Sequence, residues 1–323
     1  PTGSMHLCHY HGALKNWIKL QSELPCLFFV ADWHALTTHY DDPSIIETSI
    51  WDMVIDWLAA GIDPSQATLF IQSRVPEHAE LHLLLSMATP LGWLERVPTY
   101  KDQQEKLSEK DLTTYGFLGY PLLQAADILI YKAAFVPVGE DQRQHIELTR
   151  DLATRFNSRF GETFVIPEGV ILKETAKIYD LQNPTAKMSK SGDPKGLVNI
   201  MDDSSVIVKK FKSAVTDLDG VIRFDREAKP GISNLLGIYS AITGESIDSL
   251  VARFDGAGYG ALKTELADVV VSHIEPIRNR AEELLSDPAE LDRLLAKGAA
   301  KANELAEKTL ATVYERIGFI AAS

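Results

Sequence analysis

Apolar residues along this chain switch between helical spacing and short unbroken runs. From Gly12 to Glu23 the positions Leu14, Trp17, Ile18 and Leu20 fit one helix, which Pro25 stops. Cys26 to Ala31 is a continuous apolar stretch, the pattern of a strand covered on both faces. Asp42 then stands as a cap, Pro43 as the first helical position and Gly61 as the stop of a second helix. Its inner stripe is Ile46, Ile50, Met53, Val54, Trp57 and Leu58. Thr68 to Gln72 reads as a second buried strand. Helix, strand, helix and strand in this order predict βα crossovers and a parallel sheet.

After Pro76 the pattern becomes mostly helical. Phe117 to Tyr131 and Asp141 to Phe156 both run at helical spacing. From Ser204 onward only helices are expected. Val206, Val208, Phe211 and Val215 belong to one, and Leu262 to Leu285 form a long one bent at Pro276. Ala299 to Ile317 form the last, with Leu305, Leu310, Val313 and Ile317 on one face. Strand character disappears soon after Lys195. The sequence therefore divides into an α/β domain over residues 1–195, with a helical insertion at about 101–160, and a helical domain over residues 196–323. The helices between Lys101 and Phe156 are also candidates to pack with the C-terminal ones.

With 323 residues, 45% hydrophobic and 24% charged, the chain suits two globular domains. Cys8 and Cys26 give no disulfide framework and fit a reducing compartment. No apolar run approaches the roughly 20 residues that span a bilayer, and no secretory pattern is present. A cytoplasmic protein without a membrane partner is expected. The net charge of −13 argues against non-specific nucleic-acid binding. An RNA partner has to meet a local basic patch. The candidate is Lys209-Lys210-Phe211-Lys212 with Arg223, Arg226 and Lys229, and an ordinary exposed helix face explains the same run.

Two short segments carry chemistry. Lys187-Met188-Ser189-Lys190-Ser191, between Asn183-Pro184-Thr185 and Gly192-Asp193-Pro194, is a cationic loop whose Gly and Pro flanks forbid a long regular element. Such a loop can close over a polyphosphate; taken by itself it is also an ordinary solvated surface loop. At the other end, Pro1-Thr2-Gly3-Ser4-Met5-His6-Leu7-Cys8-His9 reads as a turn entering a helix. His6 and His9 are three apart and share a face of its first turn, where free N–H groups already favour anions. Surface histidines or a metal pair are the alternatives. A nucleotide-binding α/β fold needs a strand feeding such a turn, so a strand preceding Pro1 is expected.

Two further segments look like a pocket. Gly119 to Tyr131 is apolar nearly all round and holds one carboxylate, Asp127, which needs a partner if buried. An internal pair satisfies that need as well as a ligand does. Val136-Pro137-Val138-Gly139-Glu140-Asp141-Gln142 is a strand-like piece that ends in Gly and opens a helix. Glu140 and Asp141 can serve as helix N-terminal acids. Alternatively, Gly139 permits close backbone approach and Asp141 accepts from ribose hydroxyls.

Together these segments resemble the class I aminoacyl-tRNA synthetases, with Lys187 to Ser191 as the KMSKS signature and the His6 turn as the HIGH motif. Gln124 to Tyr131 followed by Val136 to Gln142 narrows the resemblance to the bacterial tryptophanyl-tRNA synthetase family, over the whole chain. One departure is Cys8, which stands where the family has Gly and so bears on how closely the backbone meets the nucleotide base.

The resemblance implies a Rossmann-type catalytic domain and a helical anticodon-binding domain. It implies tryptophan–tRNA ligation from L-tryptophan, ATP with Mg2+, and tRNA(Trp), by a homodimer, with no metal held by the protein itself. His6, His9, Lys187 and Lys190 match its catalytic positions. Pro1, Thr2, Cys8, His9, Gly139, Glu140, Asp141, Ile178 and the loop Lys187, Met188, Ser189, Lys190 and Ser191 match its ATP contacts. Asp127 matches the acceptor of the indole N–H, and Tyr120, Gln124, Val136, Val138 and Gln142 match the rest of the amino-acid pocket. Lys106 falls near a family lysine that reaches pyrophosphate, with Lys101 and Lys110 in competition. The rival expectations are a tyrosyl enzyme of the same fold, an inactive amino-acid-binding paralogue motivated by Cys8, and a nucleotidyltransferase that adenylylates a cofactor precursor.

Overall fold

A computed structural model describes residues 5–97, 114–171, 177–189 and 192–320. Residues 5–7 run antiparallel beside residues 198–200. Leu7 N–H donates to Val198 O at 3.0 Å, Ile200 N–H donates to Met5 O at 3.1 Å, and His6 faces Asn199. The chain then turns through α1 (Leu7–His9) and a π-helical turn (Tyr10–Leu14) into α2 (Lys15–Leu20). Single π turns are costly and concentrate at functional sites.

Strands β1 (Leu27–Val30) and β2 (Thr68–Ile71) pair in parallel, Leu27 opposite Thr68 and Val30 opposite Ile71. The crossover that parallel pairing requires is supplied by α3 (Asp32–His39) and α4 (Ser44–Ala60). Strands β3 (Phe135–Val138) and β4 (Glu168–Ile171) form a second parallel pair, joined through α8 (Arg143–Phe160). Between β2 and β3 lie α5 (Glu77–Ser86), α6 (Leu91–Glu95) and α7 (Tyr115–Leu129). Beyond β4 come α9 (Ser204–Lys212), α10 (Pro230–Thr243), α11 (Ile247–Arg253), α12 (Gly258–Leu285) and α13 (Pro288–Ile317).

Several elements depart from the sequence pattern for identifiable reasons. Helix α4 begins one residue later than expected, because Pro43 is the cap position and the Asp42 carboxylate accepts from Ser44 N–H at 3.1 Å. Strand β4 gave no strong apolar signal, since it is exposed at every second position. Val206 faces solvent, and Ile207 with Phe211 makes the buried face of α9. Helix α13 starts at Pro288, capped by Asp287, and Leu305 is exposed. Its buried face keeps the expected Leu310 and Val313 and adds Ala299, Ala302 and Ala306. Small residues suit this face because α13 lies directly on β2. A Cβ added to Gly298 would overlap the Leu69 carbonyl.

Two apolar clusters form the core, and β2 feeds both, because successive side chains of a strand point to opposite faces. Leu69 joins Leu7, Val54, Met188, Val198, Phe211, Leu236 and Leu266. Phe70 joins Leu122, Leu152, Phe156, Ala302, Leu310 and Val313. Each cluster draws residues from both sides of position 195. Helices α7 and α8 share the second cluster with α13. No helix among the described residues is long and apolar enough to cross a membrane.

Candidate functional site

Asp127 sits on α7 with 5% of its surface exposed. Three side chains donate to its carboxylate. Gln72 Nε2 lies 2.7 Å and His78 Nδ1 2.6 Å from Oδ1, and His34 Nε2 lies 2.8 Å from Oδ2. Burial pushes the Asp127 carboxyl up, but the hydrogen bonds and positive potential of His34 and His78 outweigh it and hold it down at about 2. Behind His78, the Tyr131 hydroxyl lies 2.6 Å from Nε2. With Nδ1 of His78 donating to Asp127, the Nε2 of the same ring is the atom that meets the Tyr131 hydroxyl. A carboxylate offers about two acceptor positions on each oxygen. Gln72 and His78 fill those of Oδ1, and His34 takes one at Oδ2. No second side-chain donor to Oδ2 is found among the described residues, and the partly exposed His34 beside it meets the Tyr120 ring edge-on at 6.4 Å.

Tyr120 and Gln124 share α7 with Asp127, at spacings that keep all three on one side. They lead into a second polar chain. Tyr120 hydroxyl lies 3.1 Å from His145 Nε2, and His145 Nδ1 lies 2.7 Å from Gln142 Oε1. Gln124 Nε2 reaches the same Gln142 oxygen at 3.3 Å, and Gln142 Nε2 donates to Asp141 at 3.0 Å. Burial keeps the His145 imidazole below its ordinary range, which favours the neutral form this chain needs. Val136 and Val138 point to one face of β3, and both are half-buried. A Cβ at Gly139 would crowd the Asp141 carboxylate at 2.6 Å, so glycine lets that acid fold back on the strand end. Glu140 is exposed and forms a two-point ion pair with Arg143, at 2.7 and 2.9 Å.

The rings of His6 and His9 stack at 3.7 Å, with His6 buried and His9 exposed. Cys8 is 3% exposed and lies in the same apolar cluster as Met5, Leu7 and Met188. The cationic loop grows out of a short antiparallel ribbon. Tyr179 faces Lys187, Asp180 N–H donates to Ala186 O at 2.9 Å, and Met188 N–H donates to Ile178 O at 3.2 Å. Ile178 and Met188 are both buried, so the ribbon is anchored in the core beneath the exposed Lys187. From Gly196, whose carbonyl accepts from Leu181 N–H at 3.0 Å, the chain continues into the 198–200 segment beside His6. The histidine turn and the ribbon are thus joined by main-chain pairing. Pro1, Thr2, Lys101, Lys106, Lys110, Lys190 and Ser191 lie outside the described residues.

Half of the expected basic patch is engaged by neighbouring residues. Lys229 is buried and paired with Asp217 at 3.0 Å and with Asp219. Lys210 is tied to Asp202 at 2.7 Å and to Leu197 O. The Arg226 guanidinium lies over the rings of Tyr179 and Phe224, at 5.1 and 5.2 Å. Lys209, Lys212 and Arg223 remain at the surface. Among the described residues no group of three or more His, Cys, Asp or Glu is arranged to hold a metal ion.

His34, Gln72, His78 and His145 were not singled out from the sequence. Two of them had a usable signal. In open parallel sheets, ligands gather outside the carboxyl ends of strands. His34 follows β1, and Gln72 follows β2 directly. Asp32, accepting from Ser73 N–H at 3.0 Å, ties those two strand ends together.

Comparison with known proteins identifies the family. The family model described as tRNA synthetases class I (W and Y) matches residues 1–275. Tryptophan–tRNA ligase 2 of Streptomyces avermitilis is 52% identical over 321 residues, 99% of this chain and 95% of that protein. The crystal structure of the Campylobacter jejuni tryptophanyl-tRNA synthetase complexed with ADP and tryptophan superimposes with a TM-score of 0.86 at 34% identity, covering 99% of this chain and 98% of that one. The tyrosyl-tRNA synthetase from Aeropyrum pernix, at 21% identity and a TM-score of 0.63, shares the fold.

Proposed function

The chain belongs to the class I tRNA synthetases that serve tryptophan and tyrosine, and from that membership we infer that it is a tryptophan–tRNA ligase. It is an ATP-dependent enzyme on a Rossmann-type fold. It activates L-tryptophan to tryptophanyl-adenylate with release of pyrophosphate, then transfers tryptophan to tRNA(Trp).

The observation that carries the choice of amino acid is the Asp127 carboxylate, ionised in an apolar helix, with one acceptor position on Oδ2 that no side chain among the described residues fills. An indole N–H fits that position. Phenylalanine offers no donor and leaves the position unfilled, and sites built to hydrogen-bond a substrate reject such analogues by roughly 10⁴-fold. Tyrosine offers a hydroxyl, so the shape of the pocket has to exclude it. Tyr120, Gln124, Val136, Val138 and Gln142 form the rest of the pocket in this reading.

Gly139 and Asp141 meet the nucleotide ribose, the Ile178 backbone meets adenine, and His6 and His9 stand at the phosphates, with Pro1, Thr2 and Cys8 nearby. Glu140 contributes through its neighbours, since its side chain is engaged by Arg143. The tryptophan carboxylate attacks the α-phosphate in line. Lys187 and Lys190 neutralise the leaving pyrophosphate when the loop closes, with Ser189 and Ser191 as hydrogen-bond donors and the buried Met188 seating the loop by its backbone. Positioning and charge stabilisation supply most of the acceleration in this kind of step. Mg2+ would accompany ATP, held chiefly by its phosphate oxygens, the usual habit of that ion.

Residues 196–323 take the role of anticodon-binding domain, with Lys209, Lys212 and Arg223 as its accessible cations. The working enzyme is a cytoplasmic homodimer. Leu83, Met87, Leu91 and Tyr115, all exposed, lie along the packed helices α5, α6 and α7 and give a second copy an apolar face to cover. The test is ATP–pyrophosphate exchange driven in turn by tryptophan, tyrosine and phenylalanine. Exchange with tryptophan alone is expected; exchange led by tyrosine overturns the reading.

A further inference from the structure

We propose that Asn234 is a positioning residue for the adenylation step: its side-chain amide clamps the main chain of Tyr179 and so fixes the ribbon from which the cationic loop rises. This inference rests on the reading that residues 178–191 meet ATP.

The clamp follows from strand geometry. In an antiparallel pair, residues alternate between those that exchange hydrogen bonds with the partner strand and those that do not. Tyr179 and Lys187 are a pair of the second kind, because the bonds on either side of them run from Asp180 N–H to Ala186 O and from Met188 N–H to Ile178 O. The N–H and C=O of Tyr179 therefore point away from Lys187, to a side where no strand lies among the described residues. Asn234 meets them there. Its Oδ1 accepts from Tyr179 N–H at 2.9 Å, and its Nδ2 donates to Tyr179 O at 2.9 Å. One amide supplies the donor and the acceptor that a neighbouring strand would have supplied. Asn234 is 2% exposed, so water is a poor substitute on either side.

The mount behind the clamp is stiff. Asn234 lies in the second turn of α10, two residues after Ile232 and three after Gly231, where an added Cβ would overlap the Val215 carbonyl. Val215 N–H in turn donates to Leu181 O at 2.8 Å, two residues beyond Tyr179. Lys229, just before α10, is held by Asp217 and Asp219. Arg226 covers the Tyr179 ring. The ribbon is thus registered against the helical half of the molecule at three neighbouring points, and Asn234 is the one that takes both polar groups of a single residue. Asp in its place, when ionised, keeps the acceptor but turns a carboxylate oxygen on the Tyr179 carbonyl. Ala removes both bonds.

The test compares wild type, Asn234→Ala and Asn234→Asp in three measurements. These are ATP–pyrophosphate exchange with kcat and KM for ATP, tryptophan binding by equilibrium dialysis, and amide hydrogen exchange of the peptide spanning 178–189. For Asn234→Ala the expected result is kcat/KM for ATP reduced about tenfold to a hundredfold, as befits the loss of two buried hydrogen bonds. Tryptophan affinity should stay within about twofold, and exchange at the Asp180 and Met188 amides should speed up by about tenfold. Asn234→Asp should fall between wild type and Ala, and it carries the test if the Ala variant does not fold. Unchanged ATP parameters with unchanged amide protection overturn the proposal, as does an equal loss of ATP and tryptophan use. If wild type itself shows no tryptophan-driven exchange, the enzymatic reading fails and takes the positioning role with it. Faster amide exchange in the variant would then report a structural clamp alone.

Discussion

The Nδ1 of His78 lies 2.6 Å from Oδ1 of Asp127, and the other nitrogen of the same ring lies 2.6 Å from the Tyr131 hydroxyl. His78 has no exposed side-chain surface, so it acts on the site only through the carboxylate it holds. With Gln72 it occupies Oδ1 and leaves the remaining acceptor position on Oδ2, beside His34.

His78→Phe keeps the ring volume but removes the donor. A hydrogen bond to a charged group is worth roughly 1.5–3 kcal/mol. Its loss frees the carboxylate to rotate and raises the cost of keeping it ionised. The expected outcome is a rise in KM for tryptophan of about tenfold or more with KM for ATP nearly unchanged, read in steady-state exchange. Equal changes in both constants would show that His78 supports the fold at large rather than Asp127.

Gly196 tests the base of the cationic loop. The Asp180 carboxylate accepts from Gln182 N–H at 2.7 Å and Asn183 N–H at 2.9 Å, and a Cβ at position 196 would overlap it. Gly196→Ala should displace that carboxylate and loosen the turn. Destabilisation of about 1–3 kcal/mol in urea unfolding is expected, with a larger loss in ATP use than in tryptophan binding. An Ala variant with wild-type stability and exchange would show that the turn has room to spare.

Acid should weaken the fold in two separate windows. Burial, helped by His273 and Lys15, pushes the His11 imidazole down to about 3. Burial also lowers His82, His145 and His273. Between about 6.5 and the folded value, the unfolded chain binds protons that the folded one refuses, so stability rises with pH there. This stabilisation is complete above about pH 6.5 and is lost as pH falls toward 3. For His11 alone the loss between pH 6.5 and 5 is on the order of 2 kcal/mol. Asp127 acts lower. Its carboxyl is held down at about 2, so its contribution is present above the ordinary carboxylate range and fades as pH falls from about 4 to 2. Urea midpoints measured at pH 7, 6 and 5 should fall steadily. A flat profile over that range would contradict the burial of these imidazoles as neutral groups.

The sequence made β1, β2 and the cationic loop legible because each rests on local chemistry. Cys26 to Ala31 and Thr68 to Gln72 are apolar enough to be strands in almost any context, and Gly and Pro around Lys187 leave only a loop. Asp127 stood out as a lone acid in an apolar helix. Its partners did not, because His34, Gln72 and His78 come from three elements that only the crossovers bring together. The basic run at Lys209 to Lys212 was legible only in part, for a related reason. Charge is visible in sequence, but the acids that consume it are found in space, such as Asp202 for Lys210 and Asp217 for Lys229. On α13, Leu310, Val313 and Ile317 lie on the expected face but Leu305 does not, because hydrophobic spacing favours Leu305 whereas close approach to β2 selects alanine and Gly298.

The central claim is that Asp127 Oδ2 receives the ring N–H of the substrate. The most direct measurement is kcat/KM for exchange driven by tryptophan against its benzothiophene analogue, in which sulfur replaces that N–H at nearly the same shape. The account predicts about a hundredfold or greater preference for tryptophan in wild type, shrinking to within about tenfold in Asp127→Ala. Equal use of the two amino acids by the wild-type enzyme would contradict it.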